Sequence, residues 1–518
     1  MPWRWKWLRP KHTAATPNPA GHQRWWALAL LSFGLFMASL DNTILNVALP
    51  TLARELHAST DELQWTVDAY QVTYAGLLLV AGALVDRWGK SRTFLVGTAV
   101  FGAFSLMAGL VGTTGLLITA RALMGIGAAL LAPSTLALVS SLFTDPRERT
   151  LAFALWSGAN GAGGAAGPLL SGVLLEHFSW GSIFLINVPI AVVILVAGAF
   201  VLPHTRPDKL TGHVDALGAV LSTLALALVC WAVISAPGLG VGSPLVVGAA
   251  IAGLSLSAAF IYWESRAANP ILRLSLFRIR RFSVAVGVSG LVTAGGAGAL
   301  FVLTQYLQFS LGFTPLETGW RVLPVAAAML LGALSAPRFI EYLRLKRTVL
   351  VGLALVMAGF GWMASTSVTS TFGHLLPGAL LFGLGAGLLI PAATQAVMDA
   401  LPPDATGAGS ATNTAFMQVG SALGVAVIGS ILAARYRGVL TASTIWPQLG
   451  QWQAVALESM AGALRAAAAL PGELGTQLTA LANQGFVAGM RAALLTSSAV
   501  VLAALLAVGV LYPKEPRR

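Results

Sequence analysis

The sequence predicts an all-α polytopic membrane protein: two six-helix bundles with two further helices inserted between them, fourteen transmembrane helices in all. Three observations predict it. Of 518 residues, 56% are hydrophobic and 10% charged, with a mean hydropathy of +0.78; a water-soluble domain carries about 25% charge. Fourteen apolar segments lie near 25–48, 62–84, 93–111, 115–140, 150–175, 181–202, 214–234, 244–263, 282–310, 316–337, 348–366, 374–398, 406–433 and 488–511. Each is long enough to cross a bilayer as a helix, and none shows the ten-residue alternation of a barrel strand. The chain also repeats itself. Arg92-Thr-Phe-Leu-Val-Gly97 returns 255 residues later as Arg347-Thr-Val-Leu-Val-Gly352, and Gly167 and Gly424 are 257 apart.

The offset divides the chain. A basic tail (1–24) precedes the first bundle (25–202), and 203–281 holds the two inserted helices with their linkers. The second bundle (282–511) carries an external loop at 436–487, and a short tail (512–518) follows. Parallel six-span halves around a midplane site are a transporter architecture. The head, MPWRWKWLRPK, is followed by no small-residue cleavage site and reads as an uncleaved interfacial tail. The net charge of +12 raises the possibility of nucleic acid, but its placement excludes that partner. With both termini in the cytoplasm, 24 of the 31 Lys and Arg fall on that side, as topology requires. The single cysteine, Cys230, supports neither a disulfide framework nor a Cys-based metal site. The loop 436–487 is rich in Ala, Leu and Gly, and Pro471-Gly472 is expected to split it into two helices that cap the outer vestibule or lie on lipid.

Taken in order, the first segment holds Asp41, about 12 Å from its outer end. An ionised Asp there costs at least ~2.5–3.5 kcal/mol, so it must face a partner or a wet cavity. It is expected to carry a proton between the two sides; a structural hydrogen bond to a neighbouring helix is the other reading. Asp68 in the second segment and Arg121 in the fourth lie about 9 Å from their outer ends. Opposite charges at one depth in one bundle should pair. Burial favours the neutral acid and a nearby Arg favours the carboxylate, so an Asp alternating between the two loads and releases a proton. A permanent bridge that fixes helix packing remains the alternative. Between the second and third segments, Gly82, Asp86, Arg87, Gly89 and Arg92 form a turn whose glycines permit close approach and whose Asp can hold a breakable contact. Gly163, Gly167, Pro168 and Gly172 make the fifth segment smooth and bent, which suits a moving seam as well as plain close packing. Candidates for a substrate cavity are Asn42, Asn46, Gln64 and Tyr70 in the first half. The second half adds Gln305, Tyr306, Gln308, Phe309, Asn413, Phe416, Met417 and Gln418, which serve equally as packing. The deep parts of segments nine to fourteen hold no acid, which suits a neutral or weakly charged ligand and disfavours a dication. Neither His-Glu-x-x-His nor a nucleophile elbow with a suitable base occurs, so no enzyme and no metal site are expected.

These segments resemble the major facilitator superfamily and, within it, the fourteen-span drug–proton antiporters of the EmrB/QacA type. LDNTILNVALP (Leu40–Pro50) resembles the first-helix motif of that branch, and QWTVDAY (Gln64–Tyr70) its second-helix signature. GALVDRWGKSR matches the superfamily loop motif, with Lys90 where Arg is frequent. LITARALMGIGAA (Leu117–Ala129) resembles the fourth-helix motif, and Gly163–Gly172 the antiporter motif with Ser171 in place of a Gly. GFVAGMRAAL (Gly485–Leu494) is also similar to that branch. The resemblance implies proton-driven export of amphipathic drugs, antiseptics or antibiotics by alternating access, with Asp41 and Arg121 in proton coupling and Asp86 in gating; Asp68, as a second titrating carboxylate, is expected to join the coupling and permit two protons per cation. It implies no cofactor beyond the coupling proton. It also implies a monomer in the bacterial cytoplasmic membrane, with a periplasmic adaptor in a Gram-negative host. A dedicated exporter or flippase of a native lipid or secondary metabolite, and a non-transporting membrane sensor, are the rival readings.

Overall fold

A computed structural model describes residues 21–143, 145–203, 215–267, 270–401 and 406–512. Most of the tail 1–24, the linker 204–214 and the C-terminal residues 513–518 lie outside the described residues. The first half contains α1 (Gly21–Glu55), α2 (Thr60–Trp88), α3 (Lys90–Leu110), α4 (Thr114–Leu142) and α5 (Pro146–His177), then the short α6 (Ser182–Leu185) and α7 (Asn187–Val201). The inserted pair is α8 (Ala216–Leu239) and α9 (Pro244–Glu264). The second half contains α10 (Arg280–Gln305), which ends in a π-helical turn at Tyr306–Ser310, α11 (Pro315–Leu343), α12 (Leu345–Met363), α13 (Phe372–Asp399) and α14 (Thr406–Thr441). After it come α15 (Trp452–Glu458), α16 (Met460–Ala469) and α17 (Gly472–Leu511).

Among the described residues, twelve helices are long and apolar enough to cross a membrane. α2 and α5 are not among the twelve, yet α2 packs on α4 and α14, and α5 packs on α1 and α11, inside the bundle. The halves repeat in their packing as well as in sequence: α1 on α5, α2 on α4 and α3 on α4 are matched by α10 on α14, α11 on α13 and α12 on α13.

The repeat reaches the caps. Ser59 and Glu62 form a capping box at the start of α2, and Thr314 and Glu317 form the same box, 255 residues on, at the start of α11. Gly89 (φ 87°) joins α2 to α3, and Arg344 (φ 69°), again 255 residues later, joins α11 to α12. Glycine adopts that backbone freely, whereas a residue with a Cβ pays for it, so the second half holds the same turn under strain.

Two expected elements differ. The sixth segment is broken at Ile186, where Pro189, in the first turn of α7, offers no N–H to continue a single helix. The last segment begins at Gly472 rather than near 488 and runs 40 residues into the bundle. No breaker interrupts it, and its Gly485 and Gly489 let it close on Tyr436 and Leu432 of α14. Of the external loop, α15 and α16 remain as separate helices; Tyr436 donates to Ala456 O (3.0 Å) and Thr60 to Glu458 O (3.0 Å). The inserted α8 packs on α2, α14 and α9, so one helix touches both halves.

Candidate functional site

The α2–α3 and α4–α5 turns, with exposed Arg87, Arg92 and Arg149, mark one end of the bundle as basic; α15 and α16 cap the other. Between these ends Asp41 of α1 is fully buried. Its Oδ2 accepts from Arg121 Nη1 (2.5 Å), and its Oδ1 accepts from Asn187 Nδ2 (3.3 Å). Arg121, on α4, donates Nε to Thr66 O (3.0 Å) and lies 4.4 Å from the centroid of the Tyr70 ring. Asn187 also donates to Ser105 Oγ (3.1 Å), which donates to Phe184 O (2.9 Å). Side chains from α4 and α7 thus hold one carboxyl group of α1, and each partner is itself positioned by a further bond.

Asp68 does not join this pair. It is fully buried, and neither carboxyl oxygen has a hydrogen-bond partner among the described residues. Trp65 and Val72, one turn to either side, pack around Cys230 of α8 and Ala422 and Ala426 of α14. A carboxyl group therefore sits at the junction of α2 with the inserted helix and the second half, without an arginine.

A cavity of about 670 Å³ runs from the bundle centre toward the basic end. Asn42, Tyr70 and Gly82 line it from the first half, and Met417 and Gln418 from the second. Among the described residues no charged side chain is on its wall. Tyr70 both lines the cavity and lies against the Arg121 guanidinium. At the deep end an amide chain crosses three helices: Gln418 Nε2 donates to Gln71 Oε1 (2.9 Å), and Gln71 donates to Asn42 Oδ1.

Toward the capped end the halves close. Gln64 Nε2 donates to Val425 O (3.2 Å) and Ala426 O (3.0 Å) on α14, and Gln308 Nε2 donates to Val47 O (2.7 Å). Pro168 O stands 2.5 Å from where a Cβ on Gly319 would be, and Leu316 Cα stands 2.6 Å from one on Gly172. Gly163 and Gly167 let α5 lie directly on Phe36 and Thr43 of α1. The smooth face expected of α5 is therefore in use from Gly163 to Gly172.

Several expected cavity residues stand elsewhere. Gln64 and Gln308 bridge the halves, since a buried amide must find a carbonyl. Asn46 donates to Asn42 O (3.3 Å) and Gln305 to Phe301 O (3.0 Å) on their own helices. Tyr306 donates to Ser370 O (3.3 Å), Asn413 reaches Met417 Sδ (3.8 Å), and the Phe416 ring lies 5.5 Å from that of Phe277. Phe309 lines a separate cavity of about 620 Å³ against α16 and α17. The Asp86 side chain lies outside the described residues.

Sequence reasoning passed over Gln71 and Asn187. Gln71 extends the polar stripe Gln64–Asp68 by one turn, and Asn187 is a polar residue within an apolar segment. Both signals were present in the sequence. Among the described residues no cluster of His, Cys, Asp and Glu could hold a metal ion.

Two repeated helical halves closed around a neutral cavity, with an ion pair buried beside it, define a membrane transporter rather than an enzyme. The chain belongs to the Major Facilitator Superfamily, whose family model matches residues 31–425 and 286–470. It is 33% identical over 501 residues to the multidrug efflux pump LfrA of Mycolicibacterium smegmatis, covering 96% of this chain and 98% of that protein. It is 33% identical to the tetracenomycin C resistance and export protein of Streptomyces glaucescens (96% and 93%) and 32% identical to the methyl viologen resistance protein SmvA of Salmonella typhimurium (95% and 98%). Among solved structures it matches a bacterial homologue of the human lysosomal transporter Spinster, inward-facing and unoccupied. The TM-score is 0.68 at 15% identity, covering 94% of this chain and 98% of that one, a likeness of fold.

Proposed function

We propose that this protein is a proton-coupled antiporter that exports amphipathic small molecules across the bacterial cytoplasmic membrane by alternating access. The observation that carries the reading is the Tyr70 ring, which lines a substrate-sized cavity and contacts the Arg121 of the buried Asp41–Arg121 pair. Relatives named for efflux and resistance support it. Counting α2 and α5 with the twelve apolar helices gives the fourteen spans of the EmrB/QacA branch, with both termini and the basic end in the cytoplasm. The chain acts as a monomer with no cofactor but the proton, and with a periplasmic adaptor in a Gram-negative host.

In the arrangement seen here the cavity runs toward the basic end and the Asp41 carboxyl accepts from Arg121 and Asn187. Parting of the capped end moves α1 relative to α4, loosens that pair, and lets Asp41 take a proton as substrate leaves. Return of the halves restores the pair and releases the proton to the cytoplasm. Asp68, buried with no hydrogen-bond partner among the described residues, supplies the second titrating site. Asp86, Arg87 and Arg92 hold the basic end together when the cavity faces outward. Each proton moving inward supplies ~2.3 kcal/mol per 100 mV and ~1.4 kcal/mol per pH unit.

The test is transport in proteoliposomes under imposed pH and voltage gradients, wild type beside Asp41→Asn. Gradient-driven accumulation should vanish in the mutant while its thermal unfolding stays cooperative. Uphill transport by Asp41→Asn would sink the reading. The uncharged cavity wall keeps one further reading in play, a dedicated exporter of a native neutral metabolite or lipid. A narrow substrate range in the same assay would favour it.

A further inference from the structure

A cavity of about 560 Å³ lies between α8, α9 and the part of α14 nearest the capped end, separate from the central cavity. Its walls are apolar: Val233 and Pro237 of α8, Ile251 of α9, and Val427, Ile431 and Ala434 of α14. The hydroxyl on the wall, Ser430, is spent on Val233 O (2.8 Å). Ile251 and Leu254 on the α9 side are exposed, so the groove is open laterally, where the bilayer lies.

Residues 427, 430, 431 and 434 form one stripe along α14, and the next position on that stripe toward the membrane surface is Arg437. Its Nη1 is 3.3 Å from where a Cβ on Gly238 would stand, directly after the groove-lining Pro237. The guanidinium therefore lies at the surface end of the groove. Among the described residues it forms no ion pair, and its Nε is buried without a partner. Asp61, in the first turn of α2, forms no salt bridge to it. A partly buried cation with unused donors at headgroup depth, continuous with an apolar channel at acyl depth, matches one kind of molecule.

We propose that this groove binds an anionic glycerophospholipid of the leaflet at the capped end, with its phosphate on Arg437 and one acyl chain between α9 and α14. The site requires only that the chain be embedded in a bilayer and is independent of what the central cavity carries. It also gives the inserted pair a task. α8 packs on α2 and α14 but α9 packs on α8, so a lipid chain in the groove ties α9 to the second half.

The experiment is native mass spectrometry of the purified full chain, titrated with phosphatidylglycerol or phosphatidylcholine of matched chains. Wild type should retain phosphatidylglycerol about tenfold better, as a charge-assisted contact predicts. Arg437→Gln should erase that preference. Ala434→Trp should lower retention of both lipids with the guanidinium intact; Ile251→Trp makes the same test from α9 if the first variant does not fold. Equal retention of the two lipids by wild type, or an unchanged preference in Arg437→Gln, would overturn the site. So would a change in cross-linked dimer yield with lipid retention unaltered, because the groove would then belong to a second copy of the chain.

Discussion

The two seams between the halves are built by opposite means. Along α5 and α11 the backbones almost touch: Gly172 meets Leu316, and Gly319 meets the carbonyl of Pro168. No side-chain hydrogen bond crosses that seam among the described residues, and Ser171 and Thr318 are buried there with their hydroxyls unpartnered. Along α2 and α14 the contact is polar. Gln64 reaches two carbonyls, Gln418 binds Gln71, Asp68 is buried alongside, and α8 clads the outside. A seam of bare backbone has little to break when it parts, whereas a seam of amides must exchange its bonds for water or for other partners. The halves should therefore separate first along α5 and α11, with the α2–α14 side acting as the hinge that α8 supports.

Four substitutions test that contrast. The largest effect is expected from Asp68→Asn, which removes the titratable group from the polar seam. If Asp68 carries the second proton, the reversal potential should show one proton fewer per substrate, a loss of ~2.3 kcal/mol of drive per 100 mV. An unchanged ratio and substrate spectrum would remove Asp68 from coupling. Next comes Gly319→Leu on the bare seam. Its side chain has no room beside Pro168 O, and overpacking of ~1–3 kcal/mol should hold the capped end open. Spin-label distances between α5 and α11 should lengthen there; unaltered distances would mean that the close contact is incidental.

A smaller change is expected from Gln64→Leu. The α14 carbonyls keep their helical bonds, so folding should persist while the closed state loses ~0.5–1.5 kcal/mol. The same label pair placed across α2 and α14 would register the shift, and no shift would leave α8 alone as the fastener. The smallest effect belongs to Ser171→Ala. Removing a buried hydroxyl without a partner should raise the unfolding temperature slightly, by the equivalent of ~0.5–1 kcal/mol. A fall instead would mean that Ser171 bonds across the seam in another state of the cycle.

Much of the fold is legible in the sequence. Apolar length marked the segments, and the 255-residue repeat paired them. A finer reading would have found Ser59-x-x-Glu62 and Thr314-x-x-Glu317 at the same offset. The Asp41–Arg121 pair was legible from depth alone, since two opposite charges at similar height in one bundle have strong reason to meet. That Asn187 faces Asp41 was not, because spacing shows only a polar residue within an apolar segment and not which neighbour it meets. Nor was the allocation of amides. Gln64 and Gln308 were expected on the cavity wall and instead fasten the halves, while Gln71 was passed over and spans the deep end. Periodicity shows that a face is polar; it does not say whether that face meets water, substrate or another backbone.

By itself the sequence determined that the chain lives in a bilayer, that it is two copies of one helical plan, and that a carboxylate and a guanidinium must be hidden in the first copy. Those follow from transfer energies and spacing, which act along the chain. Tertiary structure alone decided that Asp41, not Asp68, receives Arg121, that an inserted helix covers the seam where Asp68 is left unpaired, and that one end is shut by glycines on one side and glutamines on the other. Each of these turns on the rotation of one helix against its neighbour, a quantity that many distant contacts set together and no single segment encodes.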